Sequence, residues 1–177
     1  MNPILVDASQ IREAIGTSID VSSDVELGAV DVSGVTYTPR EAAALTATLA
    51  NGGEGIVLHG SIRAVFEVEC SRCLTAFPFE IATDVDTLFV DESTEIGSDE
   101  QDVFAVSGDQ IDLAPIIESA LRVEMPLAPV CMDDCCGICP SCGADMNAES
   151  CACAEVPRDD GPFAALKDML DPHVVED

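Results

Sequence analysis

The sequence contains no tryptophan, one tyrosine and six phenylalanines, and aromatic residues make up 4% of it. Any core must therefore be assembled mainly from Val, Ile, Leu and Ala. Positive charge is also scarce: seven Lys and Arg stand against 34 Asp and Glu, for a formal net charge of −27. Lys167 is the single lysine, and Arg12, Arg40, Arg63, Arg72, Arg122 and Arg158 are scattered along the chain without forming a basic stripe. Affinity for nucleic acid rests largely on cations that neutralise phosphates, so strong direct binding of rRNA or DNA is disfavoured. A field of this sign suits a basic protein partner; the alternative is that the acidity serves only solubility.

No apolar run approaches the roughly 20 residues of a membrane-spanning helix. Residues 1–10 lack a cationic region followed by an apolar stretch. We therefore expect a cytoplasmic protein without a membrane contact. In that reducing compartment nine cysteines are metal ligands before they are disulfides. The only histidines are His59 and His173. No nucleophile–base arrangement can be assembled from them, so no catalytic residue is assigned and no enzyme is expected.

The 177 residues are 47% hydrophobic, enough for one ordinary domain with or without a small appended module. Ile4 to Val6 reads as a short strand, Ser9 to Ile15 as a helical turn or two, and residues 17–40 as short strands and loops. Leu45 to Leu49 alternates, and Asn51-Gly52-Gly53 is a turn. Ile56 to Glu69 then alternates apolar and polar residues over a long strand, with Val65 as an exception. Phe77 to Val90 supplies the next strand, with Phe77, Phe79, Ile81, Thr83, Val85 and Thr87 on one face. Connections this short imply antiparallel neighbours. Asp91 to Asp102 is an acidic loop, and Val103 to Val106 a candidate short strand.

Asp112 is a good N-cap, and Leu113, Ile116, Ile117, Ala120 and Leu121 fall on one helix face that ends before Pro126. Pro162 to Leu170 predicts a closing helix. The expectation is an α+β protein: an antiparallel β-meander or partly closed sheet packed by one or two helices, with a C-terminal zinc knuckle. Residues 1–126 form the β-rich main domain with its packing helix near 112–124. Residues 127–155 form the cysteine-rich knuckle, and 156–177 the last helix and acidic tail.

Seven of the nine cysteines lie between Cys131 and Cys153. Cys139-Pro140-Ser141-Cys142-Gly143 spaces two thiolates to grip one ion, and Cys151 and Cys153 supply a second close pair. Four thiolates suit a closed tetrahedral structural zinc site. Cys70, Cys73, Cys131 and Cys135 are the candidates for a second site that stitches the knuckle to the sheet, leaving Cys136 as the free thiol. An unmetallated pair at Cys70 and Cys73, or one site with other partners, are the competing readings. The spacing of Cys136, Cys139 and Cys142 also matches the start of an iron–sulfur motif, but the expected fourth Cys-Pro is missing. A redox dithiol at Cys139/Cys142 or Cys70/Cys73 would want a βαβ setting that the meander does not offer.

Val68-Glu69-Cys70-Ser71-Arg72-Cys73-Leu74-Thr75-Ala76-Phe77 resembles the CxRCLxxF signature of the bacterial YceD family. An acidic loop, Ile111-Asp112-Leu113 opening a helix, Pro126-Leu127-Ala128-Pro129 and the C…CxGxCPxCG block follow in the family's order. The resemblance spans about residues 41–177. It implies a non-enzymatic role in the synthesis, processing or stability of large-subunit (23S) ribosomal RNA. In many bacteria the gene lies beside that of a small ribosomal protein. Some relatives carry His-x-His at Cys151-Ala152-Cys153, which suits metal ligation there. Others lack the CPxCG block, so the knuckle is not indispensable to the shared function. Together with the composition, this points to contact with a basic ribosomal protein or assembly factor. The alternative is a thiol- or metal-responsive regulator using Cys70 and Cys73 as a redox pair.

Overall fold

A computed structural model describes residues 3–94, 103–148 and 150–153. In chain order, β1 (Leu5–Asp7) and α1 (Ser9–Arg12) precede β2 (Ser18–Val25), β3 (Val30–Val32), β4 (Val35–Pro39), β5 (Ala43–Asn51), β6 (Ile56–Glu69), β7 (Ala76–Asp91), β8 (Val103–Val106), β9 (Gln110–Asp112) and α2 (Ala114–Glu124). The closing helix expected at 162–170, and the acidic loop beyond Thr94, lie outside the described residues.

The long strand β6 is the axis of the fold. Its sequence alternates strictly enough to dictate its burial: Ile56, Leu58, Ile62, Ala64, Phe66 and Val68 point into the core while Val57, His59, Ser61, Arg63, Glu67 and Glu69 face out. The exception, Val65, lies half-buried on the outer face opposite Glu80. One edge of β6 is lined along its whole length by antiparallel β7, from Ile56 opposite Phe89 to Glu69 opposite Ala76. The other edge is shared. β5 pairs with residues 56–63, and β4 with Phe66 and Glu67. β2 continues the sheet beyond β5, and β3 beyond β4.

Gly60 sits where β5 and β6 approach too closely for a side chain. A Cβ there would lie 2.6 Å from both Ala47 Cβ and the Thr46 carbonyl oxygen.

Two expectations need correction. β8 runs parallel to β7, Leu88 opposite Val103, so the sheet is not wholly antiparallel. It is also open rather than partly closed, because among the described residues β2, β3 and β8 each pair on one side only. β1 and β9 form a separate two-stranded ladder.

Among the described residues, helices cover one face of the sheet and leave the other exposed. Ile116, Ile117 and Leu121 of α2, with Ile11 of α1, join the inward residues of β5, β6 and β7 in a single apolar cluster. Asp112 does not cap α2 as a formal N-cap. Its carboxylate accepts the N–H groups of Ala114 (3.0 Å) and Ile4 (2.9 Å), opening the helix while tying down the N-terminal ladder. Aromatics gather at both ends of the β6–β7 pair: Phe89 meets Phe104 at one, and at the other the Tyr37 ring meets Phe66 and Phe79 edge-on at 6.2 and 5.9 Å. The Tyr37 hydroxyl donates to the Pro126 carbonyl at 2.6 Å. That bond fixes the chain as it leaves α2 and turns toward the cysteines.

Candidate metal centres

The β6–β7 turn carries the first two cysteines. The Cys70 N–H donates to the Thr75 carbonyl (3.0 Å) and the Leu74 N–H to the Cys70 carbonyl (2.9 Å), closing a tight loop. Leu74 adopts the left-handed region at φ 62° to complete it. The Pro126–Pro129 segment docks on this turn through a 2.8 Å bond from the Ser71 N–H to the Pro129 carbonyl. It thereby delivers Cys131 and Cys135.

Arg72 reaches back across the same segment, donating from Nη1 to the carbonyls of Asp133 (3.2 Å) and Cys135 (3.1 Å). Its own carbonyl accepts the Ile138 N–H at 3.2 Å. Gly137 is at φ 75°, where a Cβ would stand 3.1 Å from that carbonyl.

Cys70, Cys73, Cys131 and Cys135 are thus brought together, their sulfurs all within 4.8 Å of one another. Cys70 and Cys135 are 3.8 Å apart and Cys73 and Cys131 3.7 Å. Zinc–sulfur bonds of about 2.3 Å directed to a tetrahedron separate the sulfurs by about 3.8 Å. The donor set and its spacing therefore fit such an ion. Cys70, Cys73 and Cys135 are buried.

Burial pushes the Cys70 thiol up, but N–H groups of Cys73, Arg72 and Cys131 aimed at its sulfur together outweigh that and hold it at about 6. Cys131 moves the other way, to about 12, through burial and then through hydrogen bonds with the thiols of Cys73, Cys135 and Cys70. Thiolates so crowded repel one another, and a cation among them would balance that charge.

The second group is Cys139, Cys142, Cys151 and Cys153, also within 4.8 Å of one another. Gly143 takes φ 74°, and its N–H returns to the Cys139 carbonyl at 2.9 Å. The Cys139 N–H donates to the Ala144 carbonyl at 2.8 Å, and Ile138 bridges Asp145. Backbone N–H groups of Ser141 and Cys142 lower the Cys139 thiol to about 6. Hydrogen bonding with the Cys142 thiol, and then burial, raise Cys153 to about 12. Cys139 and Cys151 sulfurs stand 3.3 Å apart. This group is wetter than the first, with Cys142 and Cys153 exposed.

Asn147, in the loop between Cys142 and Cys151, reaches back to the first group, a role no spacing rule announces. Its Oδ1 accepts the Cys136 N–H (2.7 Å), and its Nδ2 donates to Cys135 Sγ (3.4 Å) and to Asp145 Oδ1 (2.8 Å). Arg72 stands inside the CxRC pattern, yet only the fold reveals it as the strap over Cys135. Cys136 belongs to neither group and is exposed. His59 sits on the outer face of β6 beside Asp86, and His173 lies outside the described residues. No described helix is long and apolar enough to cross a membrane.

The chain is similar to known proteins over about two thirds of its length. The chain is 34% identical over 121 residues to an uncharacterized protein of Mycobacterium tuberculosis, covering 67% of this chain and 58% of that protein. It thus spans under two thirds of the length of that relative. It is 27% identical over 143 residues to the chloroplastic large ribosomal RNA subunit accumulation protein YCED homolog 1 of Zea mays, covering 64% and 48% respectively. The Arabidopsis thaliana counterpart is 25% identical, with 64% and 44% covered. No solved structure matches. The family model described as large ribosomal RNA subunit accumulation protein YceD matches residues 58–170. From the third residue of β6, through both cysteine groups and beyond, the chain belongs to the YceD family.

Proposed function

We propose that this protein is a non-enzymatic factor supporting the synthesis, processing or stability of large-subunit rRNA, acting through a basic ribosomal protein or assembly factor. The observation that carries the reading is membership of a family described by large-subunit rRNA accumulation rather than by a reaction. The excess of 34 acidic over seven basic residues favours a cationic protein as the direct contact and disfavours the phosphate backbone.

Each four-cysteine group holds a structural zinc ion. The buried group clamps the segment after α2 to the β6–β7 turn, and the exposed group folds a loop with almost no apolar content of its own. Zinc suits four thiolates in a tetrahedron and brings no redox chemistry. The burial of Cys70 and Cys73 within a four-sulfur group disfavours their use as an accessible redox pair.

Depletion of the protein is the deciding experiment: precursor 23S rRNA and immature large particles should accumulate. Normal processing in depleted cells removes the proposal. Metal analysis of the purified chain should return two zinc ions. Iron with visible absorbance, or no metal, overturns the zinc assignment.

A further inference from the structure

The outer face of the sheet, which no other described element covers, ends beside the buried cysteine group in a concavity of about 510 Å³. β4, β6, β7 and the β6–β7 turn all contribute to it. Thr36 and Thr38 line one side, Glu67 and Glu69 the floor, and Ala76 and Leu74 the other side. Both glutamates are exposed, and among the described residues neither forms an ion pair. Leu74 is 59% exposed, held upright by the left-handed backbone of a turn fastened at Cys70 and Ser71. Further along the same face, β7 presents Glu80, Asp84 and Asp86 to solvent.

We infer that this groove is a docking site for a lysine- and arginine-rich polypeptide segment. Its cations lie between Glu67 and Glu69, and an aliphatic stem or apolar residue packs on Leu74. The inference rests on the proposed assembly role and deepens it by locating the contact.

Charge selects the occupant. A second copy of this chain brings another −27 to a face that is already acidic. The chain's own residues 154–177 hold seven carboxylates against Arg158 and Lys167, a poor charge match to two glutamates. Nucleic acid is repelled by the same carboxylates. A cationic polypeptide gains from them, and the long stems of Lys and Arg cover apolar surface while their heads remain at the charges. The arrangement also gives the buried cysteine group a purpose beyond folding, since the turn it secures is one wall of the groove.

The test uses the full chain and individually purified basic proteins of the large ribosomal subunit, titrated by fluorescence anisotropy at moderate salt. At least one should bind. Glu67→Gln with Glu69→Gln should weaken that complex about tenfold, the effect of removing two partly exposed charge pairs. Leu74→Asn, which the left-handed backbone tolerates, should weaken it about threefold, in keeping with the loss of one partly buried apolar contact. Asp24→Asn with Glu26→Gln, exposed carboxylates at the end of β2 and just after it, away from the groove lining, should leave it unchanged. Equal losses in the groove and control pairs mean a diffuse field and overturn the site. So does no loss in either, the absence of any binding protein, or tighter binding of bare rRNA. Normal rRNA processing in depleted cells would remove the assembly role instead. An arginine-rich synthetic peptide then ranks the same variants and decides the groove alone.

Discussion

Breaking the two cysteine groups should damage the protein very unequally. In the buried group Cys70 and Cys135 are 65 positions apart and Cys73 and Cys131 are 58, whereas Cys139 and Cys151 in the exposed group are 12 apart. A cross-link closing 65 residues removes about 4.3 kcal/mol of unfolded-chain entropy, and one closing 12 about 2.8 kcal/mol, treating the bound ion as a staple. The larger loop encloses β7 and α2, so its stabilisation is felt by the global transition. The smaller one contains no residue of the main core, so its stabilisation is felt locally.

Zinc-loaded wild type should therefore be compared with Cys70→Ala/Cys73→Ala and with Cys151→Ala/Cys153→Ala in urea, followed by far-UV circular dichroism. With a slope of about 2 kcal/mol per molar, the first variant should lose about 2 M in its midpoint. The second should stay within about 0.3 M of wild type, since a surface change away from the core moves stability by no more than about 0.5 kcal/mol. Equal shifts in the two variants, or a wild-type midpoint indifferent to a strong chelator, refute the reasoning.

Three further outcomes follow from single contacts. Gly60→Ala forces a methyl group to 2.6 Å from the Thr46 carbonyl oxygen and Ala47 Cβ, and should destabilise the sheet by about 1–3 kcal/mol in the same urea assay. Tyr37→Phe removes the 2.6 Å bond to the Pro126 carbonyl. It should cost about 1 kcal/mol and speed amide exchange at Ser71, whose N–H depends on Pro129 staying docked. The Asp86 carboxylate, through its hydrogen bond and charge, raises the His59 pKa above its usual 6.5. The small stabilisation from that exposed pair is complete below pH 6.5 and fades as pH climbs through the raised value. An NMR titration should show the elevation, and Asp86→Asn should remove most of it, the Asp84 charge supplying a smaller share.

The long strands were legible because each alternates against one buried face. Ile56–Glu69 is read to its ends from its pattern, and Val65 departs from that pattern because it is opposite Glu80 rather than the core. The α2 stripe was equally plain, since Ile116, Ile117 and Leu121 recur at helical spacing. What stayed hidden depends on distant partners. A four-residue strand such as β8 carries no mark of the direction in which it will pair, and its parallel run beside β7 is set by the tertiary path. The β1–β9 ladder joins residues about a hundred positions apart: Ile4 to Val6 reads as a strand, but its three-residue partner Gln110–Asp112 does not. In the cysteine region, spacing suggested the groups of four, because thiolates two residues apart face one ion. Asn147 and Arg72 could not be picked out, since their bonds go to backbone groups and a sulfur brought near only by folding.

The order of synthesis gives the buried cysteine group a waiting time. Cys70 and Cys73 leave the ribosome with the β6–β7 turn, but Cys135 follows Cys70 by 65 residues, about 3–13 s at ordinary elongation rates. Through that interval a nascent hairpin holds out half of the four-cysteine group, its two thiols open to oxidants. Closure comes only once α2 has been translated, so the fastening certifies that everything between its two halves has already been made.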